Sequence, residues 1–268
     1  MATTPISFSA FGSKRFKRYD AYAFASKDTI APLVLRELPR ASLSLPIALT
    51  KVQEAFVPVA VMGLGGQQNL FVAPDGRWVG RYVPAVYRAY PFMLANGPEN
   101  RQILCFDESS GLLSASEGEP FFTDDQKPTD AVNSILNFLT ALSANRQATR
   151  SVCALLAEHD LIEPWHIKLQ GDDQATEKPA GVNLKGLYRV NEVAFNQLEE
   201  KPLHALHQGG ALPLIYCQML SMQHLPMLGE LTKAYRAAQQ HAALPKNDAG
   251  DMDLSFLADD TTISFENL

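Results

Sequence analysis

The chain has 268 residues, 46% of them hydrophobic, and a formal net charge of −6. That length accommodates one large domain or two small ones around a sizeable core, and the acidic balance argues against general nucleic-acid binding. The three cysteines, Cys105, Cys153 and Cys217, form neither a CxxC pair nor a disulfide framework, which suits a reducing compartment.

Residues 1–25 carry Lys14, Arg15, Lys17 and Arg18 with no apolar run behind them, so no signal peptide is expected. No stretch approaches the ~18 apolar residues of a membrane span. The expectation is a soluble cytoplasmic protein without membrane insertion. KRFKRY, residues 14–19, reads as a loose basic arm pinned by Phe16 and Tyr19, or as a contact for an anion or partner. In 31–46, APLVLRELPRASLSLP holds a short helix with Leu33, Leu35 and Leu38 inward, which Pro39 would stop. Strands are expected at 47–50 and at 56–63; the second, FVPVAVMG, is apolar throughout, as in a strand buried on both faces. Gly63, Gly65 and Gly66 form a turn, since GLGG lacks both the GxGxxG spacing and a phosphate-loop lysine.

Asn69 to Gly97 is the densest aromatic stretch. Pro74, Asp75 and Gly76 reverse the chain between β-prone flanks, because Pro presets φ, Asp bonds the backbone and Gly tolerates positive φ. Pro84 ends the second strand of that hairpin, and 85–90 make about one and a half helical turns before Pro91. A strand is expected at 103–106. The carboxylates Asp107, Glu108, Glu117, Glu119, Asp124 and Asp125 lack the spacing of a calcium loop and read as a solvated acidic loop.

From residue 128 the pattern turns helical. Thr129 or Asp130 caps a run in which Val132, Ile135, Leu136, Leu139 and Leu142, then Val152, Leu155 and Leu156, keep helical spacing. A bend near 143–147 would make it a helical hairpin ending at Pro164. A short strand at 167–169, a polar loop at 170–180 and a strand at 187–190 follow. Asn191 caps a short helix. His204 and His207 are too few and wrongly spaced for a zinc site and read as surface residues. Residues from 211 form a long amphipathic helix or a pair broken at Pro226. The fold class expected is α+β, an antiparallel strand-rich N-terminal half with C-terminal helices packed on it. Residues 1–245 are taken as one domain and 246–268 as an acidic tail, mobile or docked.

PVAVMGLGGQQNLFVAPDGRWVGRYVPAVYRAYPF from Pro58, then CFDE, GLYRVNE and GGALPLIYCQMLSM, together resemble the SapC family of bacterial proteins over most of 20–235. The resemblance implies a bacterial source. The family name comes from proteins encoded with a paracrystalline surface layer. Similar proteins are encoded near outer-membrane TonB-dependent receptors and flavin-dependent tryptophan-halogenase-like enzymes, which implies an accessory role in the uptake or use of a nutrient. An unrelated peptide-uptake permease shares the name, and the lack of an apolar span separates this chain from it. The resemblance supplies no catalytic residues.

Three functions are weighed: a non-catalytic binding or accessory protein, an enzyme with an unrecognised site for a small anionic or peptide substrate, and a surface-layer component. No cofactor and no metal site is expected, and no catalytic residue is assigned. Partners are a protein or a small anionic ligand, and a homo-oligomer is compatible with the sequence. The candidate ligand site gathers Arg77, Arg81 and Arg88 with Tyr87 and Tyr90. Arg77 and Arg81 are an even number apart and share a face of an extended segment, and arginine forks grip carboxylate or phosphate. The competing reading pairs these arginines with Asp107, Glu108 or Glu117 as surface bridges, and packs the aromatics as core.

Overall fold

The computed structural model describes residues 3–65, 67–97, 101–166, 168–169, 182–183 and 186–243. The strands in chain order are β1 (Thr3–Pro5), β2 (Arg15–Phe16), β3 (Ile30–Pro32), β4 (Ile47–Val52), β5 (Ala55–Val61), β6 (Phe92–Asn96), β7 (Gln102–Asp107), β8 (Leu113–Ser114), β9 (Glu119–Pro120), β10 (Ile162–Pro164), β11 (Lys168–Leu169), β12 (Val182–Asn183) and β13 (Leu187–Val190). The helices are α1 (Phe8–Phe11), α2 (Leu38–Ala41), α3 (Ala85–Arg88), α4 (Asp130–Glu158), α5 (Glu192–Asn196), α6 (Glu200–Gln208), α7 (Leu212–Ser221) and α8 (Leu225–Ala243).

The architecture is α+β, with antiparallel sheets built mainly from the strand-rich first half and helices of the second half packed on them. The largest sheet runs β10-β13-β4-β5-β3. Its centre is the β4–β5 hairpin, registered from Ile47 opposite Ala60 to Val52 opposite Ala55. Ile47, Ala48, Leu49, Val59, Ala60 and Val61 are buried, which is why β5 reads as an unbroken apolar run and β4 begins as one. A second sheet runs β1-β7-β6, and a third runs β8-β2-β9.

Two hydrophobic cores result. One lies on the large sheet under α4, α6 and α7. The other gathers Phe11, Phe16, Phe92, Phe106 and Phe121 around the smaller sheets. Phe121 stands 4.8 Å from Phe11, 5.0 Å from Phe16 and 5.4 Å from Phe106, centroid to centroid, and such pairs add about 0.5–1.5 kcal/mol each beyond burial. Helix α4 belongs to both. Val132, Leu139 and Leu142 enter the aromatic core, while Val152, Cys153 and Leu156 enter the other. Thr129 caps it by accepting the Val132 N–H.

Five expectations change. The hairpin strands expected on either side of the PDG turn reduce, among the described residues, to one bridge between Val72 and Trp78, so Arg77 and Arg81 do not lie on a strand. The expected helical hairpin is one continuous helix of 29 residues; Ser143 and Asn145 are half-buried and accept hydrogen bonds from the Gln102 side chain and the Arg36 N–H, so the polar stretch packs without a bend. The basic segment is not a loose arm. β2 is paired on both sides, Phe16 is buried, and Lys17 and Arg18 bridge to Glu117 and Glu119 of the acidic loop. Pro39 opens α2 within its first turn instead of stopping it, since a missing N–H is harmless there. The break after α7 comes at a 3₁₀ turn over Met222–His224, one residue before α8 begins and two before Pro226. The tail at 246–268 lies outside the described residues.

Gly76 has φ +85°, as its PDG turn requires, and a Cβ there would come within 3.0 Å of the Ala21 Cβ. Gly76→Val is expected to cost more than about 1 kcal/mol in urea unfolding, through positive-φ strain and that contact. An unchanged midpoint would contradict it.

Candidate ligand-binding cleft

The Gly76 turn also holds a second segment in place. Tyr22 N–H donates to the Gly76 carbonyl oxygen at 2.7 Å, and its ring lies 5.3 Å from that of Trp78. The neighbouring rings then order one another. Tyr19 stands edge-on to Tyr22, Phe24 and Tyr90, while Phe24 and Tyr90 stack at 3.8 Å with planes 10° apart. The Tyr90–Pro91 peptide is cis.

Between these rings, β2 and the first turns of α4 lies a cleft of about 840 Å³. Phe16, Tyr19, Tyr22, Tyr90 and Phe92 form one side; Ala131, Ser134, Ile135 and Phe138 form the other. The α4 residues are three or four apart and so share one helical face. Burial, then Tyr22, pushes the Tyr19 phenol up to about 12. Burial, then Asp107, raises that of Tyr90. Both phenols are therefore neutral hydrogen-bond donors at pH 7.

The charged residues of the cleft are Lys17, Arg18, Arg88, Glu119 and Asp130. Lys17 and Arg18 are already bridged to carboxylates. Arg88 is the cation that no exposed carboxylate holds, and it too has donors to spare. Its Nη2 donates to the Tyr82 hydroxyl at 3.4 Å and lies 3.8 Å from Glu37 Oε1. Its guanidinium stands 5.4 Å from the Phe138 ring and 5.9 Å from that of Tyr82. A guanidinium carries five N–H groups, and this side chain is 43% exposed.

Arg88 is placed by Glu37, which is only 5% exposed. A buried carboxylate is costly unless its oxygens are bonded. Here Oε2 accepts the Val34 N–H at 3.1 Å, and Oε1 accepts the Ala85 N–H at 2.6 Å and the Tyr82 hydroxyl at 2.9 Å. Glu37 thus ties the 34–37 turn to the first residue of α3. The same turn is tied to α4, where Thr149 Oγ1 and Asn145 Oδ1 accept the Leu35 and Arg36 N–H groups at 3.0 and 3.1 Å. Burial, then Glu37, raises the Tyr82 phenol, so Tyr82 too is neutral.

Of the residues singled out in the sequence, Arg88 and Tyr90 line the cleft. Tyr87 does not: it is 5% exposed and packs inward against Phe24 and Trp78. Arg77 is exposed and pairs with Asp75, whose carboxylate also accepts the Arg77 backbone N–H. Arg81 is exposed, and neither Arg77 nor Arg81 joins Arg88 at the cleft. Sequence reasoning missed Tyr22, Phe138 and Glu37. The spacing of Tyr19, Tyr22 and Phe24 and the apolar face 131–138 were the available signals; Glu37 carried none.

The SapC family model matches residues 6–228. The chain belongs to the SapC family. No curated protein and no solved structure matches it. Among the described residues of this SapC chain, no helix is long and apolar enough to cross a membrane, and no group of three or more His, Cys, Asp or Glu side chains is placed to hold a metal.

Glu37→Ala would leave the buried Val34 and Ala85 N–H groups without an acceptor. At about 1–3 kcal/mol for each such group, the variant is expected to lose about 2–6 kcal/mol in urea unfolding. A loss below about 1 kcal/mol would show that Glu37 does not hold the turn.

Proposed function

We propose that this SapC chain is a non-catalytic binding protein whose cleft takes a small anionic molecule with a flat apolar body. The observation that carries the reading is Arg88 standing, with donors to spare, at the edge of a ring-walled cleft of about 840 Å³. Rings at stacking and edge-on spacing suit a flat apolar group. A guanidinium suits a carboxylate or phosphate, which it can grip with two parallel N–H groups. The neutral phenols of Tyr19 and Tyr90 add donors without adding charge. A volume of this size matches small-molecule sites, which are mostly apolar with a few polar groups. In this reading the protein works in the cytoplasm as an accessory to nutrient uptake or to a flavin-dependent halogenase-like system, a role that rests on the family resemblance alone.

Isothermal titration of the full chain with 2-naphthoate, its uncharged amide and propionate tests the proposal. The naphthoate is expected to bind best and to be recovered unchanged. Arg88→Ala removes charge-assisted bonds worth about 1.5–3 kcal/mol, so its affinity should fall about 10- to 100-fold. Tyr90→Ala should also weaken it, through the lost ring. Equal affinity for acid and amide, or no effect of Arg88→Ala, would overturn the reading.

A further inference from the structure

A second, smaller hollow of about 180 Å³ lies on the far side of Arg88 and Phe138 from the aromatic cleft, and Arg36, Glu37, Arg40, Tyr82 and Asn145 also line it. We infer that this hollow is an oxyanion site that takes a phosphate or carboxylate group between Arg36, Arg40 and Arg88.

Three arginines line the hollow with one carboxylate, and that carboxylate is spoken for. Glu37 accepts two backbone N–H groups and the Tyr82 hydroxyl, with Arg88 nearest among the arginines at 3.8 Å. Arg36 and Arg40 lie four residues apart across the 3₁₀ turn and α2, so they sit on neighbouring turns of one face. Neither guanidinium is in an ion pair or hydrogen bond among the described residues.

Exposed arginines normally reach a nearby carboxylate or open solvent. Here two exposed arginines without a carboxylate partner line one hollow together with a third that is held in place by a buried network. The hollow therefore carries excess positive charge beside low-dielectric walls, the setting in which an oxyanion gains most. The Asn145 side-chain oxygen accepts the Arg36 backbone N–H, which leaves its amide N–H groups as further donors. The space is large enough to admit a phosphate or a carboxylate group. Because Arg88 borders both cavities, an anion here and a ligand in the aromatic cleft would share one cation. The site itself does not depend on that cleft being filled.

The test uses the full chain at low ionic strength, titrated separately with inorganic phosphate and with acetate, with chloride as control, and followed by thermal shift and by calorimetry. At least one of the two anions is expected to bind saturably. The double variant Arg36→Ala/Arg40→Ala should weaken it about tenfold or more. Arg77→Ala/Arg81→Ala removes the same charge elsewhere and should leave binding intact. Preference for phosphate or acetate identifies the source of the oxyanion. Tyr90→Ala should retain oxyanion binding while weakening that of the naphthoate, so failure of one site is distinguishable from failure of the other. An equal response in both double variants, or no saturable binding of either anion, would overturn the inference.

Discussion

Everything at the cleft depends on how a short turn buried between two cores satisfies its backbone. Leu33 and Leu38 belong to the core on the large sheet, and Val34 between them belongs to the aromatic core. The chain must therefore pass through the junction, and a 3₁₀ turn there exposes N–H groups that no strand or long helix can take up. Three side chains supply the acceptors: Glu37 from within the turn, and Asn145 and Thr149 from α4. Since α4 packs into both cores, these bonds fix where the cores sit along the helix.

The same network sets the chemistry of the cleft. Glu37 also takes the Ala85 N–H, which positions the start of α3, and Arg88 closes that helix one turn later. Its guanidinium is held by Tyr82 and Glu37 on one side and lies over Phe138 on the other. A cation so restrained loses less side-chain entropy on binding than a free surface arginine would. The aromatic side is restrained separately, by the Gly76 turn through Tyr22 and by the stack of Phe24 on Tyr90. A pre-arranged apolar wall thus faces a pre-arranged cation, which favours binding of a molecule that carries both kinds of group.

Much of the fold was legible because its causes are local. The PDG turn, the Thr129 and Asn191 caps and the apolar runs of β4 and β5 follow from a few adjacent residues, and the structure shows them where expected. The cleft was less legible because its causes are distant. Glu37 looks like a solvent-facing residue between Arg36 and Leu38, and its partners Tyr82 and Ala85 are 45 and 48 residues away. The basic segment looked loose because the carboxylate that pairs with Arg18 lies 101 residues later. Strand alternation placed Arg77 and Arg81 together, yet Asp75, two residues from Arg77, claims that side chain. Arg36 and Arg40 attracted no notice, flanking as they do Leu38 and Pro39, which dominate the local pattern.

The central claim is that the ring-walled cleft beside Arg88 is where a small anionic ligand binds. Its most direct test is an amide NMR titration of the isotopically labelled full chain with 2-naphthoate. The account predicts saturable shifts concentrated in residues 16–22, 88–92 and 130–138, the three segments that enclose the cleft. Shifts centred on α5 to α7, or small unsaturable changes spread over the surface, would contradict it.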